Sequence, residues 1–370
     1  MAVDAETAIQ RSLGAACLLG LMHAVVDATT VTLLVWGTKA GGVWLAGEAG
    51  PYLPDSVVWN RYLLYNALAF GTQFSIGAVA DRWNAYRGTL LAGLAAIAIA
   101  AMVVPFWPEA ANAMAAMGNA MFHVGAGAMV LVRSPRRTVP AGIFVGPGAI
   151  GLAAGLWCGA TRQFAPWLFL GPLAACACVA SVLKSTAQNH DQRADFSSPR
   201  EIPMVALGTG AMLLAIGLRS INGNSVSLLY EGQAGVLWAL AVAACAGNIV
   251  GGVIADRFGW LKACLLGLML SVPLLGLFVD RPAAAVGGMV LFQMTMPVTL
   301  VALSRLFPAE PGLAFGLAAL AVLLGVVPVY VCPSEWTTAW PLLLLPPLVS
   351  AAAILIALPR IMPRDRPTAE

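Results

Sequence analysis

Apolar residues run through this chain in long blocks, each closed by a short charged or Pro/Gly-containing stretch. A helix rises about 1.5 Å per residue, so roughly 20 apolar residues cross the hydrocarbon core of a bilayer. Read in order, the blocks predict about twelve spans, at 12–37, 57–80, 88–107, 110–132, 138–160, 164–184, 203–229, 234–255, 261–279, 283–306, 311–332 and 337–358. None shows the short alternating strands of a transmembrane barrel. The pattern predicts an all-α polytopic membrane protein. Two connections are long. Residues 38–56 are Gly/Pro-rich, with Lys39, Glu48 and Asp55 as their charges, and residues 185–203 are polar. The second reads as a linker, 185–202, between a six-helix half at 1–184 and another at 203–370.

Composition agrees. The chain is 60% hydrophobic and 10% charged, with a mean hydropathy of +0.83. A soluble domain carries about 25% charged residues, enough to cover a wetted surface. The net charge of +3 gives no reason to expect a nucleic-acid partner. The placement of cations is more informative. Of 20 Lys and Arg, 15 fall on the side of the two termini, three (Lys39, Arg162, Arg281) on the other, and Arg61 and Arg219 within spans. The positive-inside rule then places both termini in the cytoplasm, with the protein in the plasma (inner) membrane. The seven cysteines lie almost wholly in apolar spans and read as small packed hydrophobes. The first apolar block is longer than a signal-peptide core and holds an ionisable pair, so no cleavable signal is expected. No phosphate loop, nucleophile–base pair or convincing metal cluster is evident, so neither an ATP-driven pump nor an enzyme nor a cofactor is expected.

An internal repeat links the halves. Val26-Asp27-Ala28-Thr29-Thr30-Val31-Thr32-Leu33-Leu34 parallels Ile221-Asn222-Gly223-Asn224-Ser225-Val226-Ser227-Leu228-Leu229. Gly77-Ala78-Val79-Ala80-Asp81-Arg82-Trp83 parallels Gly252-Val253-Ile254-Ala255-Asp256-Arg257-Phe258, and Gly142, Gly146 and Gly155 share their spacing with Gly312, Gly316 and Gly325. Parallel six-helix repeats of this kind place a site at the midplane between the halves.

The doubled Gly-x-x-Ala-Asp-Arg loop resembles the signature of the major facilitator superfamily. Gly77, Ala80, Asp81 and Arg82 match, while Asn84, Ala85 and Tyr86 replace the later Gly and basic residues; Gly252, Ala255, Asp256, Arg257 and Gly259 match in the second copy. The resemblance implies a monomeric secondary transporter of a small molecule, with a gate at these loops in which Asp81 and Asp256 accept hydrogen bonds at the N-terminus of a neighbouring helix and Arg82 and Arg257 bridge across it. A narrower resemblance, on Gly118-Asn119-Ala120-Met121-Phe122-His123-Val124-Gly125-Ala126 with His23 and Asp27, is to the fosmidomycin-resistance branch. Val124 stands where that pattern has Pro. That branch implies drug/proton antiport, hence export.

The chemistry-bearing residues lie inside spans, where ionisable groups are costly and usually functional. His23 and Asp27, four apart on one helix face, are the expected proton pair, unless Asp27 forms a structural ion pair with Arg61 or Arg219. Asn119 and His123 belong to the same candidate pathway. So do Tyr65, Asn66 and Gln73 in the second span, and Gln293, with Thr295 beside it, in the tenth. Arg219 lies one turn before Asn222, the repeat partner of Asp27, and either holds an anionic substrate or neutralises Asp27. Met117, Met121 and His123, with Met294 and Met296 in the tenth span, leave a copper-transporting alternative open. A transport-inactive sensor or assembly factor is the other alternative.

Overall fold

The computed structural model describes residues 2–38, 56–161, 165–183 and 201–362. Residues 39–55 of the long connection and 185–200 of the predicted linker lie outside the described residues. The helices are α1 Ala2–Thr38, α2 Ser56–Gly71, α3 Gln73–Trp83, α4 Tyr86–Val103, α5 Pro108–Arg133, α6 Val139–Thr161, α7 Leu170–Val182 (after a 3₁₀ turn, Pro166–Phe169), α8 Glu201–Leu229, α9 Ala234–Phe258, α10 Trp260–Gly276, α11 Pro282–Gln293, α12 Met296–Leu306, α13 Pro311–Val331, α14 Ser334–Thr337 and α15 Trp340–Ile361. Among the described residues, ten helical stretches are long and apolar enough to cross a membrane, and two shorter apolar ones, Pro166–Val182 and Trp260–Gly276, fall at the two remaining predicted spans.

Two predicted spans are each divided. The second breaks at Thr72, whose hydroxyl bonds back to the Leu68 carbonyl at 2.6 Å, a contact that bends helices. The tenth breaks at Met294–Thr295, where Pro297 lacks the N–H that would close the turn and its ring crowds the carbonyl four residues back. Proline sits in the first turn of α5, α11, α12, α13 and α15, where its missing N–H costs nothing.

Within the halves, α1 packs on α6, α4 on α5, α8 on α13 and α15, and α9 on α11. Leu90, Ile97, Phe122 and Met129 from one half and Leu268, Leu275 and Phe292 from the other are fully buried in one continuous apolar core. Large apolar side chains such as Leu21, Met102, Leu266 and Leu324 stay exposed around the flanks, as a hydrocarbon-facing surface requires. The halves meet chiefly through α6 against α9 and α3 against α13. These contacts are equivalent under the repeat, which maps α6 onto α13 and α3 onto the end of α9. Glycine makes both possible. A Cβ on Gly77 would lie 2.2 Å from the Gly312 carbonyl oxygen, and one on Gly142 2.3 Å from that of Asn248.

Candidate functional site

His23 stands at the middle of the apolar stretch Gln10–Trp36, and Asp27 follows one turn later on the same face. His23 Nε2 and Asp27 Oδ2 are 3.0 Å apart. α5 repeats this spacing with Asn119 and His123, and it packs on α1 so that the two pairs meet. Asn119 Nδ2 donates to Asp27 Oδ1 at 3.0 Å and to Thr30 Oγ1 at 3.2 Å. His123 Nε2 lies 2.7 Å from His23 Nε2 and 3.7 Å from Asp27 Oδ1. Tyr65, from α2, extends the network by a hydrogen bond with the Thr30 side chain. The side chains that Asp27 meets are thus those of histidines and Asn119, not an arginine. Arg61 instead pairs with Glu109.

The outer ring nitrogens assign the tautomers. His23 Nδ1 is 2.9 Å from the Phe144 carbonyl, and His123 Nδ1 is 2.9 Å from the Asn119 carbonyl. A carbonyl oxygen only accepts, so each Nδ1 carries a hydrogen. In neutral rings both Nε2 atoms are then bare lone pairs. Two lone pairs and a carboxylate repel at the distances seen here. One positive charge between them, a proton or a metal ion, satisfies all three. The three donor atoms lie within 4.8 Å of one another, so these residues could hold a metal ion.

Aromatic rings wall the cluster. Phe122 stands edge-on to His123 at 5.6 Å, and Phe144 lies 5.0 Å from His23. Phe144 in turn meets Phe315 of α13 at 6.0 Å, which ties the cluster to the opposite half. Gly148 of α6 leaves room for the His23 ring: a Cβ there would fall 2.3 Å from Nε2. Thr30, Phe144 and Phe315 carried no signal that set them apart from other residues of their spans.

At the end carrying the doubled loops, each Asp reaches across to the other half. Asp81, buried, accepts from the Gly312 and Leu313 amides at 2.9 and 2.8 Å, at the N-terminus of α13. Asp256, exposed, accepts from the Thr138 amide at 2.8 Å, the Thr138 hydroxyl at 2.7 Å and the Val139 amide at 3.2 Å, at the N-terminus of α6. Helix N-termini favour anions, so each carboxylate holds a helix of the opposite half. The departures in the first loop copy have a local explanation. Asn84 adopts a left-handed conformation (φ 49°) where the second copy has Gly259 (φ 99°), and Asn tolerates that region. Tyr86 donates to Asp81 Oδ1 at 2.7 Å, a partner that sequence reasoning treated only as a departure from the pattern. Arg82 and Arg257 are exposed, and neither forms an ion pair among the described residues; Arg257 lies over the Phe258 ring.

The remaining candidates lie apart from the cluster. Asn66 donates to the Tyr62 carbonyl at 2.8 Å and to the Tyr330 hydroxyl at 3.4 Å, and Gln73 packs by its backbone under Gly316. Both therefore face α13. Arg219 is buried between α8 and the α11–α12 break, donating to the Thr295 and Thr299 hydroxyls at 3.4 and 3.3 Å and contacting the Met296 sulfur. No carboxylate pairs with it among the described residues. Asn222 donates to the Leu343 carbonyl at 2.8 Å, toward α15, and its Oδ1 is buried without a partner. Gln293 stands in weak contact with the Met289 sulfur. Met117 and Met121 line an open groove with Ser75, Ile76, Val79 and Thr89, whereas His123 turns inward.

No protein-family model and no curated relative matches the sequence. Solved structures do match in shape. The E. coli fucose:proton symporter FucP aligns at TM-score 0.67 and 15% identity, covering 94% of this chain and 98% of that one. A second structure of FucP, described as a major facilitator superfamily transporter in the outward conformation, aligns at 0.63 and 14% identity, over 91% and 98%. The human organic anion transporter MFSD10 aligns at 0.70 and 15% identity, over 95% and 99%. By this likeness and by its own two-fold helix arrangement, the chain has the major facilitator fold.

Proposed function

We propose that this chain is a secondary transporter that works by alternating access and couples the movement of a small organic anion to protons carried at His23, Asp27 and His123. The observation that carries the reading is the convergence of three acceptors, at 2.7 and 3.0 Å, near the middle of the membrane-spanning stretch. Such a cluster holds one proton well and none badly, which is what a site that loads on one side and unloads on the other needs.

The gate supports the same reading. α6 carries Phe144 beside His23 and, at its start, the amides held by Asp256. α13 carries Phe315 and, at its start, the amides held by Asp81. A displacement of His23 reaches both gate carboxylates along two stiff helices. Arg219, a buried cation with no carboxylate partner among the described residues, supports an anionic substrate, since an uncompensated charge at mid-membrane is costly. One fold neighbour is a proton symporter and another an organic anion transporter, in keeping with this chemistry. Export is the direction implied by the resemblance to the fosmidomycin-resistance branch. The side chains of Ser12 and Ser134 hydrogen-bond, so α1 begins beside the cationic loop of Arg133, Arg136 and Arg137. By the positive-inside rule that end is cytoplasmic, with the bundle in the plasma membrane.

The test is accumulation in proteoliposomes under an imposed pH gradient, run across a panel of organic anions and neutral drugs. Gradient-dependent accumulation of an anion is expected. Transport of neutral compounds alone, or transport indifferent to the gradient, contradicts the reading.

A further inference from the structure

The convergence of His23, Asp27 and His123 has the form of a metal-binding site. We propose that these three side chains bind a divalent d-block cation, with Zn²⁺ as the type ion. The proposal stands on geometry and holds whether or not the cluster also carries protons.

Donor chemistry selects the ion. Two imidazole nitrogens and one carboxylate oxygen are a set that Zn²⁺ takes in open three-ligand sites. Ca²⁺ asks for six or more oxygens, and Mg²⁺ for an octahedron of them. Cu(I) prefers sulfur, and the nearby thioethers of Met117 and Met121 line the outer groove instead.

Distance agrees. Bonds of about 2.0–2.1 Å in a tetrahedron set ligand atoms roughly 3.3 Å apart. The separations here are 2.7 Å between the two Nε2 atoms, 3.0 Å from His23 Nε2 to Asp27 Oδ2 and 3.7 Å from His123 Nε2 to Asp27 Oδ1. The last two reach different carboxylate oxygens; one donor atom per residue lies within 4.8 Å of the others, so side-chain shifts on the order of 1 Å seat the ion.

The outer partners are those a metal site needs. Both Nδ1–H groups are tied to backbone carbonyls, which aims each Nε2 inward and fixes its lone pair. Asn119 anchors Asp27 Oδ1 and leaves Oδ2 beside His23. Three ligands leave a fourth position open. The two histidine side chains are 7% and 9% exposed but that of Asp27 is 18% exposed, so the opening lies on the aspartate side. A site with one open position exchanges its ion, unlike a closed structural zinc site.

The experiment uses the full-length protein purified in detergent, with Zn²⁺ alone measured by titration calorimetry and Co²⁺ alone by absorption. One ion per chain is expected, with visible d–d bands for Co²⁺ and no near-ultraviolet thiolate charge-transfer band. His123→Gln and Asp27→Asn should each weaken binding at least tenfold, and a Met117→Leu/Met121→Leu double variant should leave it unchanged. Absence of binding, a thiolate-type Co²⁺ spectrum, or equal affinity in the wild type and both site variants overturns the proposal. Should a variant fail to fold, the wild-type spectrum and stoichiometry decide alone. No substrate or gradient is present, so failure here is distinct from failure of proton coupling.

Discussion

The Nε2 atoms of His23 and His123 face each other at 2.7 Å although 100 residues separate them in the chain. Each ring is held from behind by a backbone carbonyl, one from α6 and one from α5 itself. The packing of three helices therefore imposes the confrontation; rotating a ring away would cost its Nδ1 bond. Asp27 places a carboxylate oxygen 3.0 Å from His23 Nε2, the charge that the proposed mechanism uses to keep one proton between the rings.

Gly148→Ala tests that packing. The added methyl would lie 2.3 Å from His23 Nε2 and 2.4 Å from Cε1. Alanine favours helix by up to about 1 kcal/mol over glycine, so the helix itself should not suffer. The expected outcome is an intact, monodisperse protein with transport reduced at least tenfold, measured in proteoliposomes. Gly210→Ala, where no atom lies within 4 Å of the added methyl, should transport as the wild type does.

The two gate carboxylates should be unequal. Asp81 is buried and holds two amides and the Tyr86 hydroxyl, whereas Asp256 is exposed and its bonds are screened by solvent. Hydrogen bonds to a buried charged group contribute about 1.5–3 kcal/mol each. Asp81→Asn should therefore open the loop end more than Asp256→Asn does. Cys245, buried where α9 meets Gly146 of α6, reports the opening. Its labelling by a thiol reagent in an otherwise cysteine-free background should rise several-fold in Asp81→Asn and less in Asp256→Asn.

Arg219→Leu separates stability from transport. The guanidinium is buried against hydroxyls and a thioether. Replacing buried charge by a well-packed apolar side chain is often neutral or stabilising by about 1–4 kcal/mol. The melting temperature should hold or rise while transport of anionic substrates falls at least tenfold. A large drop in melting temperature would assign Arg219 to the scaffold.

Block length and loop charge made the twelve-helix plan legible, because spanning hydrocarbon demands long apolar runs whatever their packing. The breaks at Thr72 and Met294–Thr295 were not, since each follows from one local bond or ring. His23 and Asp27 were visible as i, i+4 neighbours, and Asn119 and His123 as parts of one segment, but their meeting depends on how α1 packs on α5, which no local spacing encodes. Asn66 and Gln73 are seven apart in the chain, but the break at Thr72 falls between them; the Asn66 side chain and the Gln73 backbone meet α13 rather than Asp27. Asn84 looked like a lost glycine because residue identity hides the backbone angle that both residues supply.

Asp27→Asn tests the central claim most directly. The amide keeps the shape of the side chain but removes the charge that is proposed to retain a proton between the histidines. In proteoliposomes, substrate-driven proton movement is measured beside substrate–substrate exchange, which needs no net proton transfer. Proton coupling through this cluster predicts that Asp27→Asn keeps exchange and loses proton movement. Substantial proton movement, equal in variant and wild type, would contradict it.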